Sequence, residues 1–138
     1  MSWRQSSDGM RSALKDVVVP ALRERGFRGS FPHYARIREH RIDLLSFQFS
    51  QFGPNLYIEI GSCPAAGAEQ ADGTRIPPAK VRTYHAGLYR RRIGPSPSLD
   101  FEGVKEPEDA KPLAAEVLHA INTEGETWWL SPTPIVPT

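Results

Sequence analysis

From Ile42 to Gly61 the chain reads IDLLSFQFSQFGPNLYIEIG, and apolar residues fall at every second place on either side of a break. Leu45, Phe47 and Phe49 alternate with Ser46, Gln48 and Ser50; beyond Phe52-Gly53-Pro54-Asn55, Leu56, Ile58 and Ile60 alternate with Tyr57 and Glu59. Successive side chains of a strand point to opposite faces, so this pattern predicts two strands joined by a turn, with one apolar face that needs a cover.

The cover lies upstream. Met10, Ala13, Leu14, Val17, Val18, Ala21 and Leu22 recur at helical spacing, with Arg11, Lys15, Asp16, Arg23 and Glu24 off the stripe. This predicts an amphipathic helix, with an N-cap at Ser7-Asp8-Gly9 and a stop at Gly26. Pro20 lacks the amide that would bond Asp16, which predicts a kink near Asp16–Pro20, since the stripe runs on in phase. Phe31 to Arg38 reads as a first strand with Phe31, Ala35 and Ile37 in phase, and Glu39-His40 as a tight turn.

Beyond Ser62 the pattern fades. Cys63 to Ala79 is rich in Gly, Ala and Pro and reads as a long excursion. Lys80 to Ile93 holds a fourth strand or a short helix, closed by Gly94-Pro95-Ser96-Pro97. Pro107, Glu108 and Asp109 suit the first turn of a second helix, with Leu113, Ala114, Val117, Leu118 and Ile121 on its apolar face and an end near Asn122–Gly125. A proline-spaced tail, 131–138, follows Trp128-Trp129-Leu130. The fold class expected is α+β: an antiparallel meander of three or four strands covered by a kinked N-terminal helix and a second C-terminal helix. A chain of 138 residues makes one domain the expectation, with an ordered core from about residue 8 to 130.

Composition narrows the function classes. The net charge of +1 predicts no strong pull toward nucleic acid or an anionic membrane. One cysteine, Cys63, allows no internal disulfide; the polar N-terminus has no apolar signal core, and no apolar run is long enough to span a bilayer, so a cytoplasmic location is expected. The even charge hides two blocks. Gly73 to Leu99 carries Arg75, Lys80, Arg82, Arg90, Arg91 and Arg92 with no acid, and Asp100 to Glu126 carries eight acids against Lys105 and Lys111. Adjacent opposite blocks are expected to pack near each other and neutralise in cis, the alternative being a partner of opposite charge.

The order of these signals is informative. A helix ending in Arg23–Phe27 (RERGF) precedes Ile42–Gly53 (IDLLSFQFSQFG) and Tyr57–Gly61 (YIEIG); Arg91-Arg92-Ile93-Gly94 and a late tryptophan follow. The chain resembles the bacterial family of domain of unknown function 4304 over roughly Met10 to Leu130. The resemblance implies an α+β domain without an assigned reaction, and carries over no catalytic residue. The Gly/Ala-rich insert around Pro64–Pro78 does not fit it.

No residue type forms a strong chemical motif. Cys63 lacks a local nucleophile signature and reads as a half-buried thiol at a strand end. His33, His40, His85 and His119 stand apart, without the spacing of a zinc pair, so neither metal nor cofactor is expected. Gly61–Gly67 is a small-residue turn without the Lys-Ser or Lys-Thr pair of a phosphate cradle. Asp43 and Glu59 could face each other across the sheet, but pairing of Asp43 with Arg36 or Arg41 is favoured over acid–base work. Tyr89-Arg90-Arg91-Arg92 with Arg82 and Tyr84 interleaves aromatics and cations, as single-stranded nucleic-acid grooves do; a solvated basic face or internal partner is favoured. Trp128 and Trp129 are either both pinned by the fold or divided between core and interface.

The leading expectation is a non-enzymatic protein-interaction or binding module whose partner is another protein. Its candidate surface comprises Arg90, Arg91, Arg92, Tyr84, Tyr57, Trp128 and Trp129, beside a polar sheet face of Ser46, Gln48, Ser50 and Tyr57. Two alternatives stand beside it. One is a small-ligand binder or enzyme using a cleft beside the Cys63–Ala79 loop; the other is a weak single-stranded nucleic-acid contact through Arg82–Arg92.

Overall fold

The structure is a computed structural model that describes residues 3–135. The first helix begins at Trp3, earlier than the cap expected at Ser7-Asp8-Gly9: α1 (Trp3–Ala13) runs through a π-turn (Leu14–Val18) into α2 (Val19–Glu24). Ser6 and Ser7 are buried within α1 instead of capping it, and Ser6 Oγ donates to the Val104 carbonyl at 2.7 Å. Gly9 belongs to this contact rather than to a cap, since a Cβ there would sit 3.0 Å from Val104 Cγ1. The interruption expected at Pro20 takes the form of the π-turn. Val19 N donates to Leu14 O, five residues back, and the widened turn absorbs the amide that Pro20 lacks while Leu14, Val18 and Leu22 stay on the buried face. Gly26, at φ +93°, ends the helix, and Phe27 N returns to Leu22 O.

Four strands follow as a meander, β1 (Arg28–Ser30), β2 (His33–Ile37), β3 (Arg41–Phe49) and β4 (Asn55–Pro64). Pairing of Leu45 with Ile60, Phe47 with Ile58 and Phe49 with Leu56 sets the predicted apolar residues on one face. Phe47 and Ile58 are 2% and 1% exposed, and they share a core with Met10, Leu14, Val18 and Leu22, so the helix does cover the strands. In β2 the phase differs from expectation. Tyr34 and Arg36 face the helices, through Leu45 and Asp43, whereas Ala35 and Ile37 lie on the opposite face with Leu44 and Ile42.

The second half is more ordered than its composition suggested. The excursion folds into a hairpin, β5 (Ala68–Glu69) with β6 (Arg75–Ile76), and the segment after it begins with a 3-10 turn at Thr83–His85. These cover the far face at the Cys63 end of the sheet and form a second small core of Ile42, Leu44, Cys63, Ala68, Val81 and Ala86. Ser46, expected on an exposed polar face, is therefore buried and shares a 2.6 Å hydrogen bond with Thr83. Only Gln48, Tyr57 and their neighbours keep solvent access.

Two further strands, β7 (Arg90–Ile93) and β8 (Leu99–Asp100), pair in turn along the outer side of β4. The sheet thus holds six antiparallel strands where three or four were expected, with helices at both ends of the chain: an α+β fold. After α3 (Pro107–Ala120) the helix does not stop near Asn122–Gly125. It passes through a second π-turn (Ile121–Gly125) into α4 (Glu126–Leu130). Gly125 keeps a helical φ of −65° and lies close under the Trp129 ring, where a Cβ would stand 3.2 Å from Cζ3.

Candidate functional site

β7 is the outermost strand of its edge, paired with β4 on one side only. Register with β4 sets Arg91 on the helix face beside Ile60, and Arg90 and Arg92 on the opposite face beside Gly61 and Glu59. Arg92 lies over the Tyr57 ring at 4.0 Å, and Arg90 approaches Glu59 at 3.9 Å. Arg91 and Arg92 form no ion pair among the described residues. The tail returns past this edge, and Ile135 N donates to Leu88 O. Between strand and tail runs an open cleft of about 600 Å³, walled by the three arginines, Glu59, Trp128 and Thr133 to Ile135. A neighbouring cleft shares Arg91, Trp128 and Thr133 and adds Glu124 and Thr127.

Of the seven surface candidates, Arg90, Arg91, Arg92 and Trp128 thus line one cleft, with Tyr57 beneath Arg92. Tyr84 stands elsewhere, at a cleft near β1 and β2. Trp129 is fully buried, with its indole N–H donating to Gly61 O at 3.0 Å, so it belongs to the core. Trp128 is 6% exposed and its Nε1 has no partner among the described residues. Both tryptophans are pinned by the fold. The tail was legible only as a proline-spaced segment; a non-periodic run gives no signal that it lies along a strand, and residues 136–138 fall outside the described ones.

The two charge blocks form no ion pair with each other among the described residues. Among the described residues, the pairs of the basic block run to Glu59 and Glu69, and Glu126 of the acidic block pairs with Arg36 and Arg38. The blocks are linked, among the described residues, by Gly94 N donating to Glu124 at 3.1 Å.

Asp43 and Glu59 lie on opposite faces of the sheet, which removes the paired-carboxylate arrangement. Asp43 is fully buried on the helix face, where Oδ2 accepts from Arg36 Nε at 2.9 Å and Arg38 Nε at 2.6 Å, and Arg41 Nε stands 3.4 Å from Oδ1. Arg36 also forks onto Glu126, at 3.1 and 2.8 Å. Structural pairing is the arrangement found, and Arg38 and Glu126 join a network in which the strand pattern gave only Arg36 and Arg41.

Cys63 sits in the second small core, and burial pushes its thiol up to about 11. The thiolate fraction near neutrality is correspondingly small. Alkylation with iodoacetamide at pH 8 should therefore leave the native protein unmodified over a time that fully labels a denatured sample, read by intact mass. Rapid native labelling would contradict this burial. The histidines remain apart: His33 lines the cleft near β1, His85 Nδ1 accepts from Arg82 N at 3.0 Å, and His40 lies in an exposed turn. Among the described residues no group of three His, Cys, Asp or Glu is placed to hold a metal ion, and no helix is long and apolar enough to cross a membrane.

The fold and the edge define a sheet-and-helix domain of the α+β class with an arginine-bearing outer strand. The chain belongs to the family described as Domain of unknown function (DUF4304), which it matches over residues 18–131. No curated protein and no solved structure gives a match.

Proposed function

We propose that this chain is a non-enzymatic interaction domain that binds an extended acidic segment of another protein along β7. The observation that carries the reading is an outer strand with three consecutive arginines, two of them without an ion pair among the described residues, beside an open cleft. A strand edge offers unpaired backbone N–H and C=O groups to an added strand, and alternating side chains supply the specificity. The cations alternate in face, so an incoming strand meets positive charge on both sides. Among the described residues the tail makes its backbone hydrogen bond to Leu88, before β7 begins. Pro132 and Pro134 lack amide protons, so the tail cannot donate a continuous ladder to β7.

A titration of the full chain with a short peptide of alternating Glu and Val, followed by amide resonances, tests the reading. The expected shifts fall on residues 88–93 and Trp128, and a Lys-Val peptide produces none. Arg91→Glu should weaken the acidic peptide by about tenfold or more, because it places like charges together. Shifts that avoid β7, or equal response to both peptides, would overturn the assignment.

A further inference from the structure

The opposite end of the sheet carries a second concavity, built from different residues. The β1–β2 hairpin forms one wall and the segment from Pro78 to Tyr84 the other, around a space of about 460 Å³. That is within the size range of small-molecule sites. Arg28, Lys80 and Arg82 line it, and no carboxylate does. None of these three cations forms an ion pair within 4.0 Å among the described residues, although the chain has nearly balanced charge. One sign of charge gathered in a cleft with low-dielectric walls focuses the field on whatever enters.

We propose that this cleft binds a small organic phosphate, with Arg28, Lys80 and Arg82 holding the phosphate and the exposed ring of Tyr84 flanking the organic part.

The walls are held in place before any ligand arrives. Arg28 Nη1 donates to Phe27 O at 3.2 Å, which anchors the guanidinium near the end of α2 and leaves its other donors free. Thr83 is tied to Ser46 on the sheet, and Arg82 N to the His85 ring, so the turn carrying Arg82 and Tyr84 is fixed at both ends. Gly29, at φ +131°, brings the hairpin so close that a Cβ would lie 2.3 Å from His33 O. His33, on the same wall, meets Tyr84 edge-on at 6.2 Å, and its Nδ1 is buried without a partner among the described residues. A doubly protonated ring would strand a buried N–H there; burial and the nearby Arg82 hold its pKa below the usual value. The cleft's charge therefore comes from two guanidiniums and an ammonium. Three such cations match a dianionic phosphate better than a single carboxylate, and guanidiniums bind phosphate oxygens in pairs.

The test is an amide-resonance titration of the full chain with inorganic phosphate, phenyl phosphate and, as a neutral control, benzyl alcohol. Both phosphates should shift residues 28–35 and 78–84 and leave 90–93 still, with phenyl phosphate the tighter and benzyl alcohol silent. Arg82→Ala should weaken both phosphates by roughly fivefold or more, as expected for loss of a charge-assisted contact. Tyr84→Ala should weaken phenyl phosphate alone. Lys80→Gln, at an exposed position, repeats the charge test should Arg82→Ala disturb the fold. The proposal falls if no saturable shift develops by about 20 mM phenyl phosphate, a concentration well above ordinary small-ligand affinities. It falls equally if a single-stranded RNA oligonucleotide binds these residues far more tightly than phenyl phosphate, or if the shifts are confined to β7.

Discussion

Trp129→Ala is expected to lower the melting temperature by roughly 10–17 °C, from a loss of about 3–5 kcal/mol for truncating a buried Trp and about 2.1 cal/mol/K of unfolding entropy per residue. Three contacts are lost together. The indole N–H leaves Gly61 O without its 3.0 Å donor, in the middle of β4. The ring leaves Phe27, whose centroid lies 5.2 Å away, so the closure of the first helix loses its packing. Arg36, whose guanidinium carbon lies 5.4 Å from the Trp129 ring, loses one of its two aromatic supports. The surroundings cannot close the gap, because Gly125, which lies against the ring, has no side chain to move into it. Trp129→Phe separates the terms. It keeps most of the apolar volume and removes the hydrogen bond, so about 1–2 kcal/mol should be lost. Thermal or urea unfolding monitored by far-UV circular dichroism reads both. A loss below about 1 kcal/mol for the alanine variant would show that the ring is not sealed in the core, because buried Trp truncations cost several times more.

That Trp129 matters this much was not visible in the chain, and the reason is general to its second half. Period-2 alternation over Leu45–Phe49 and Leu56–Ile60 and the stripe from Met10 to Leu22 identified one face of the sheet and its cover, because both patterns are long and regular. Residues 65–101 form strands of two to four residues, shorter than any window in which a period can be counted. Their placement rests on long-range contacts, such as Ser46 with Thr83 and Ser62 with Tyr89, which no local pattern encodes. Pro20 reads as a kink in a continuing helix, and the structure supplies a π-turn there; Gly125 reads as an end, yet tertiary packing carries that helix past it. At the candidate edge, the arginine run was legible as a basic aromatic segment. Its role as the last strand of the sheet was not, since that depends on which strand β4 selects. Arg82 and Tyr84 were legible as part of that same basic segment, but their meeting with Arg28 across the β1–β2 hairpin depends on a long-range contact that no local pattern encodes.

Asp43→Ala should cost about 3–5 kcal/mol, since removing one partner of a buried ion pair leaves the other uncompensated. Asp43 has no solvent exposure, and the Arg36 side chain has 11%. With the carboxylate gone, Arg36 keeps Glu126 but its Nε faces Phe27 and Trp129 with no acceptor, and Arg38 loses its shortest bond. Glu126→Gln should cost less, about 1 kcal/mol, because that carboxylate is 27% exposed and water can replace it. The two losses should not add. Both act through Arg36, and Glu126 is its remaining acid once Asp43 is gone, so the double variant should exceed the sum by about 0.5 kcal/mol or more. A variant in which Asp43 and Arg36 are replaced together by Leu and Met should recover part of the loss, since apolar groups leave no stranded charge. The pattern of these four unfolding curves distinguishes a network that holds α4 on the sheet from one that merely neutralises itself. If Asp43→Ala falls within about 0.5 kcal/mol of the parent protein, as ordinary surface changes do, Asp43 is not the buried anchor of three arginines. Arg36's fork onto Glu126 and Arg41's bond to Leu130 O would then suffice to hold the C-terminal helix in register.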